Sequence, residues 1–281
     1  MKIDNKEKKV LFLDMDGTTL DDKKQMSDET VNALKKASEA GHEIVVATGR
    51  TCVSAEYLRT HFGLDRLGCR YMIVYNGAGI MDCETKEMLY AKRLTMKQVH
   101  ALIDVARREH IYLHTYTEDK VLTEREDENL AVYLSRTNME ALIVPDMKKV
   151  LEEPPYKMLA INIRNPEKMY EFKEKLTACV EGKADIYFSS REYLEIVPQG
   201  VNKGAALQMF CRKKGVPLEH AIAVGDENND ISMLKAAGIG CAVANAQEDV
   251  KAAADYVTEN DNNHSAVAEV VGRFVLSSDL H

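Results

Sequence analysis

Val10-Leu11-Phe12-Leu13-Asp14-Met15-Asp16-Gly17-Thr18 is the stretch whose reading decides the fold. Its first four residues are apolar without a polar alternate, and the run is too short for a buried helix. That pattern reads as a strand covered on both faces. Ile44-Val45-Val46-Ala47, Met72-Ile73-Val74-Tyr75 and Ala221-Ile222-Ala223-Val224 are runs of the same kind. Between the first two lies an amphipathic segment. Ser27 stands as its N-cap, Asp28 and Glu29 fall in its first turn, Val31, Leu34 and Ala37 share one face, and Gly41 marks its stop. Strand, helix, strand in this rhythm predicts a parallel sheet with right-handed crossovers.

The middle of the chain differs. Helix-like stretches at about 95–109, 126–137 and 166–180 are interleaved with the strand-like runs Ile111–Tyr116, Met158–Ile163, Ile186–Ser189 and Tyr193–Val197. Polar and apolar residues alternate more here, as in Lys157-Met158-Leu159-Ala160-Ile161-Asn162-Ile163, which predicts a sheet with one covered face. Pro154-Pro155 punctuates the region. The expected organisation is α/β: a doubly wound, mostly parallel, Rossmann-like core built from residues 1–84 and 197–281, with a second α/β domain inserted at 85–196.

The bulk numbers set limits. At about 100–200 residues per domain, 281 residues suit two domains. With 45% hydrophobic and 29% charged residues, the chain can bury a full core. A net charge of −8 argues against non-specific nucleic-acid binding, which needs a basic face to displace counterions. No apolar run approaches the roughly 18–20 residues of a membrane span. Met1-Lys2-Ile3-Asp4-Asn5-Lys6 lacks the apolar core of a secretory leader. Cysteines at 52, 69, 83, 179, 211 and 241 form no Cys-x-x-Cys pair, so reduced, mostly buried thiols in a cytoplasmic protein are expected.

In open parallel sheets, ligands bind beyond the carboxyl ends of the strands. The residues that follow each apolar run are therefore the informative ones. They are Asp14-Met15-Asp16-Gly17-Thr18, Thr48-Gly49-Arg50 and Gly225-Asp226-Glu227-Asn228-Asn229-Asp230, with Lys203 opening a further helix. Alone, each is also an ordinary turn, cap or solvated charge. Together they make one chemistry. Asp14 can accept a phosphoryl group as a nucleophile. Asp16 lies close enough to protonate a leaving oxygen and later to deprotonate water, and its main-chain carbonyl can face a metal. Asp226 adds a distant carboxylate, and hard oxygen ligands suit Mg²⁺. Lys203, Thr48, Asn229 and backbone N–H groups offer charge and hydrogen bonds to phosphoryl oxygens.

These motifs, in this order, resemble those of the haloacid dehalogenase-like hydrolases, specifically the Cof-type phosphatases of subfamily IIB. Tyr75-Asn76-Gly77-Ala78, Glu195-Ile196-Val197-Pro198 and Ala252-Ala253-Ala254-Asp255-Tyr256-Val257-Thr258 extend the likeness over nearly the whole chain. The resemblance implies that Asp14 is nucleophile and metal ligand, that Asp16 is the acid/base with its carbonyl on the metal, and that Asp226 completes the ligands. It implies that Asp230 orients them from behind, and that Met15, Thr48, Gly49, Lys203 and Asn229 hold phosphate. It also implies an α/β cap at 85–196 that selects the substrate, a small phosphorylated metabolite such as a sugar phosphate, and a monomer or small homo-oligomer. Two positions depart from the family pattern: Thr19 stands where Leu is common, and Ser265 where Gly is. A phosphomutase that hands the phosphoryl group to a sugar, and a non-catalytic phospho-ligand sensor, are the competing readings. None of the eight histidines lies in a motif; His114, between Tyr112 and Tyr116, reads either as a substrate contact or as one face of a strand.

Overall fold

The computed structural model describes residues 8–137 and 139–276. The N-terminal residues on which the absence of a leader was read lie outside them. The residues divide into two compact units, one of 8–49, 58–89 and 202–276, the other of 50–57 and 90–201.

In the first unit Val10–Leu13 (β1) is fully buried, as an apolar run without alternation requires. It pairs in parallel with Glu43–Ala47 (β2) on one side. The strands Tyr71–Val74 (β3), Gly79–Asp82 (β4) and Glu87–Ala91 (β5) continue that side. On its other side β1 pairs in parallel with a late strand, Ala221–Gly225, followed outward by Ile239–Ala242 and Tyr256–Val257. The chain thus winds away from β1 in both directions, and the sheet reverses its strand order there. The strands β3 and β4 meet antiparallel across Tyr75–Gly77. The helix Asp28–Glu39 begins as expected, with Ser27 accepting from the Thr30 N–H and Leu34 and Ala37 buried. The helix Lys203–Lys214 packs Phe210 edge-on against Phe12 of β1, with ring centroids 5.5 Å apart.

The second unit is a six-stranded sheet. Its strands are Tyr112–Tyr116 (β6), Lys120–Thr123 (β7), Glu140–Ile143 (β8), Met158–Ile161 (β9), Ala184–Phe188 (β10) and Tyr193–Pro198 (β11). Their order is β10-β11-β9-β6-β7-β8. Leu113, Met158, Ala160, Leu194 and Ile196 point to a core shared with the helices Met96–Glu109 and Lys168–Cys179. The alternate residues Tyr112, Tyr116, Leu159 and Ile161 join a second core with Leu130 and Tyr133 of the helix Glu128–Arg136.

This corrects the expectation of one covered face. Lys157 through Ile161 are all buried. The alternation marks a buried polar layer, not a solvated one. Lys157 pairs with Glu195 at 2.9 Å, Glu195 accepts from Ser189, and His114 bridges the hydroxyls of Tyr112 and Tyr116. His114 is thus a satisfied core histidine. All six cysteines are free, with Cys69, Cys83, Cys211 and Cys241 buried. Among the described residues no helix is long and apolar enough to cross a membrane.

Candidate active site

The reversal of strand order decides which loops meet. Leu13 of β1 lies opposite Val224 in register, so Asp14 and Gly225-Asp226 leave neighbouring strands at the same edge. The Asp14 N–H is held by the Val224 carbonyl at 3.1 Å, and the Asp14 carbonyl accepts from the Thr19 hydroxyl. Here Thr19, one of the departures from the family pattern, supports the backbone of the first motif.

Lys203 arrives from a third segment. It is the first residue of its helix, with Asn202 capping the Ala205 N–H. A cation is disfavoured at that end of a helix, so carboxylates must hold it there. Its ammonium donates to Asp14 Oδ1 at 2.5 Å and to Asp230 Oδ1 at 2.6 Å. Close approach makes this reach possible: a Cβ on Gly204 would lie 2.0 Å from the Ser232 carbonyl oxygen, so this helix and the helix Ile231–Ala236 meet flush beside Asp230. Asp230 spends its other oxygen on the N–H groups of Asp226 and Glu227.

Asp14, Asp226 and Asp230 bring carboxylate oxygens within 4.8 Å of one another, and all three side chains are buried. One ammonium faces three carboxylates. Burial, followed by the charges of Asp230 and Asp226, raises the Asp14 carboxyl well above its usual range, although Lys203 opposes the shift. Asp226 is pushed up to about 7, chiefly by burial and then by Asp230 and Glu227, against the hydrogen bond from Thr18 at 2.6 Å. Lys203 moves the other way: burial alone would lower it, but Asp14 and Asp230 outweigh burial and raise it. A compact, negative, all-oxygen donor set of this kind fits a hard divalent cation.

Two expected site residues stand apart from this cluster. Asp16 is partly exposed and its carboxylate pairs with Lys24 at 2.9 Å; the part expected of its main-chain carbonyl does not need that side chain in the cluster. Asn229 donates to the side chain of Asn76 at 3.1 Å. Thr48 is buried after β2, its N–H held by Ile73 and its carbonyl by the Asn76 N–H. Met15 is fully buried, its carbonyl closing the turn through Thr19 and Leu20. The sequence reading gave no part to Thr18, Lys24 or Asn76. Thr18 closes the first motif, and Asn76 carried a signal of its own: an Asn-Gly pair directly after a buried strand, a place where the backbone can turn left-handed.

The family model for haloacid dehalogenase-like hydrolases matches residues 11–271. The 5-amino-6-(5-phospho-D-ribitylamino)uracil phosphatase YcsE of Bacillus subtilis is 30% identical over 95% of this chain and 96% of its own. The pyridoxal phosphate phosphatase YbhA of Escherichia coli is 27% identical over 94% and 97%. A crystal structure of a haloacid dehalogenase-like hydrolase from Bacteroides thetaiotaomicron superposes with a TM-score of 0.87 at 32% identity, covering 95% of this chain and 99% of that one. With its motif loops gathered at one sheet edge and a match running from β1 almost to the last described residue, the chain belongs to the haloacid dehalogenase-like hydrolases.

Proposed function

We propose that the protein is a Mg²⁺-dependent phosphatase that hydrolyses a small phosphorylated metabolite through an aspartyl phosphate on Asp14. The observation that carries this reading is the Lys203 ammonium, buried and shared between Asp14 and Asp230 in a cluster with more negative charge than it can balance. Such a cluster is expensive to bury unless it is completed by a cation and used on a charged group.

Asp14 attacks phosphorus, and the bond from phosphorus to the leaving oxygen breaks as Asp16 gives that oxygen a proton. Asp16, now a carboxylate, takes a proton from water, and the water oxygen displaces Asp14 from phosphorus. Lys203 holds one oxygen of the nucleophile and lends positive charge to the phosphoryl group. Thr48, Asn229 and the amides of Met15 and Gly49 supply donors to its oxygens. Asp14, Asp226 and the Asp16 carbonyl would hold Mg²⁺, with Asp230 behind them fixing Lys203 and the Asp226 loop. When bound, the cation neutralises charge on the transferring phosphoryl group.

All of these residues see only the phosphoryl group. The unit of residues 90–201 would therefore select the rest of the substrate, as the relatives' different named substrates suggest. The test is hydrolysis of a panel of phosphorylated metabolites. Excess chelator should abolish phosphate release, Mg²⁺ should restore it, and Ca²⁺, which prefers more ligands and looser geometry, should not. Full activity in chelator would overturn the proposal. Release of inorganic phosphate with no bisphosphate activator separates it from a mutase.

A further inference from the structure

Tyr75, Asn76 and Gly77 follow β3 with φ of 54°, 57° and 99°. Three successive left-handed residues are costly outside glycine and asparagine. Asn76 is 1% exposed. Its backbone N–H holds the Thr48 carbonyl at 3.2 Å, and a Cβ on Gly49 would lie 2.6 Å from its Oδ1. Its Oδ1 takes the Asn229 amide. Next to it, a Cβ on Gly77 would fall 2.3 Å from the Asn202 carbonyl oxygen, immediately before Lys203. One three-residue turn thus touches the segments that carry Thr48, Gly49, Asn229 and Lys203.

The amide pair is incompletely satisfied. Asn76 Nδ2 and Asn229 Oδ1 are buried with no hydrogen-bond partner among the described residues. A residue needed only to fill this space would not carry an unpaired buried N–H, since an apolar side chain of similar size would avoid its desolvation.

We propose that Asn76 is a positioning residue that ties Asn229 to the Thr48-Gly49 loop and so sets the spacing of the donors around one phosphoryl group. This rests on the reading that Thr48, Gly49 and Asn229 hold phosphate. Asn76 itself touches no reacting atom; it acts through Asn229.

The experiment is a double-mutant cycle with 4-nitrophenyl phosphate and Mg²⁺, read as kcat/KM and as the inhibition constant of inorganic phosphate. Asn76→Gly accepts the left-handed backbone and removes the amide; Asn76→Ser, run in parallel, removes it while keeping a small polar side chain. Misplacing a reacting or binding group by about 1 Å can cost about 10²-fold. N76G and N229A should each lose about that much in kcat/KM, with a matching weakening of phosphate inhibition. The double variant should be no worse than N229A alone. A merely structural Asn76 would reduce the folded fraction and leave both constants of the folded enzyme unchanged. Losses that multiply in the double variant, or N76G and N76S close to wild type while N229A is impaired, overturn the proposal. An unimpaired N229A removes Asn229 from the phosphate site, and with it the reading on which the proposal stands.

Discussion

Each unit of the molecule buries a lysine, and the two lysines differ in what surrounds them. Lys157 in the second unit meets Glu195 one to one, both side chains under a tenth exposed. Beside them a chain of hydrogen bonds runs from Tyr112 through His114 and Tyr116 to Tyr133, and the Lys157 ammonium lies over the Tyr116 ring. Lys203 in the first unit meets Asp14 and Asp230, and a third carboxylate, Asp226, stands within the same 4.8 Å group. The first arrangement is balanced and asks for nothing more. The second has surplus charge, and in Asp14 a carboxyl raised above its usual range. Buried polarity alone does not mark a site; buried polarity that its neighbours leave uncompensated does.

Four perturbations sharpen the contrast. The largest effect should come from Asp14→Asn, which we expect to lower kcat by about 10⁴-fold or more. Because Asp14 is crowded by like charges, the metal-free variant should melt no lower than wild type in calorimetry. A lowered Tm would mean that the cluster is balanced after all.

Next in size, Lys157→Met should cost about 3–5 kcal/mol, the usual penalty for stranding one partner of a buried pair. Native-state hydrogen exchange should localise the loss to the strands of 90–201. Per folded molecule, turnover of acetyl phosphate should be unchanged, since that substrate has little beyond its phosphoryl group to be selected. Reduced turnover at full folding would give the balanced cluster a catalytic part.

Smaller again is the effect of the cation on the first unit. At a free Mg²⁺ concentration of 100 times its Kd, stability should rise by about 2.7 kcal/mol, seen as slowed exchange in β1 and Ala221–Gly225. Equal slowing in the second unit would contradict the contrast.

The smallest effect concerns His114. Burial, and then the charge of Lys157, hold its imidazole well below its ordinary value. Tyr112, Tyr116, Tyr133, Lys157 and Glu195 are the titratable groups around it. The unfolded chain takes up a proton below about pH 6.5 that the folded unit refuses. The resulting stability is complete above that pH and declines as the pH falls toward the folded value, by at most about 1.4 kcal/mol per unit. Tm measured from pH 8 to 5 should fall more steeply in wild type than in His114→Gln.

Much of this was legible in the sequence where the signal is local. Unbroken apolar runs marked β1, β2, β3 and Ala221–Gly225, and two residues that follow them, Asp14 and Asp226, meet with Asp230 in the buried carboxylate cluster. What was not legible depends on partners far along the chain. Thr18 and Asp226 are 208 residues apart, and the Lys203–Asp14 contact spans 189. Nothing in Lys157-Met158-Leu159-Ala160-Ile161 says whether its polar end meets water or Glu195, so the alternation was read as a solvated face. Glu140–Ile143 went unread because it is mostly exposed, and Ile239–Ala242 because Gly240 breaks its apolar run. The Asn-Gly after β3 was visible, but its work as a junction needed the neighbouring loops in place.

The central claim is that Asp14 carries the phosphoryl group and Asp16 moves the protons. Acetyl phosphate has a good leaving group and needs little acid help, whereas a sugar alkoxide needs it badly; such help is worth about 10²–10⁴-fold. The most direct measurement is intact-protein mass after brief exposure to acetyl phosphate and Mg²⁺, quenched in acid. A phosphoryl adduct that persists on Asp16→Asn, because water has lost its base, and none on Asp14→Asn, is the predicted result. An adduct on Asp14→Asn and none on Asp16→Asn would contradict the account.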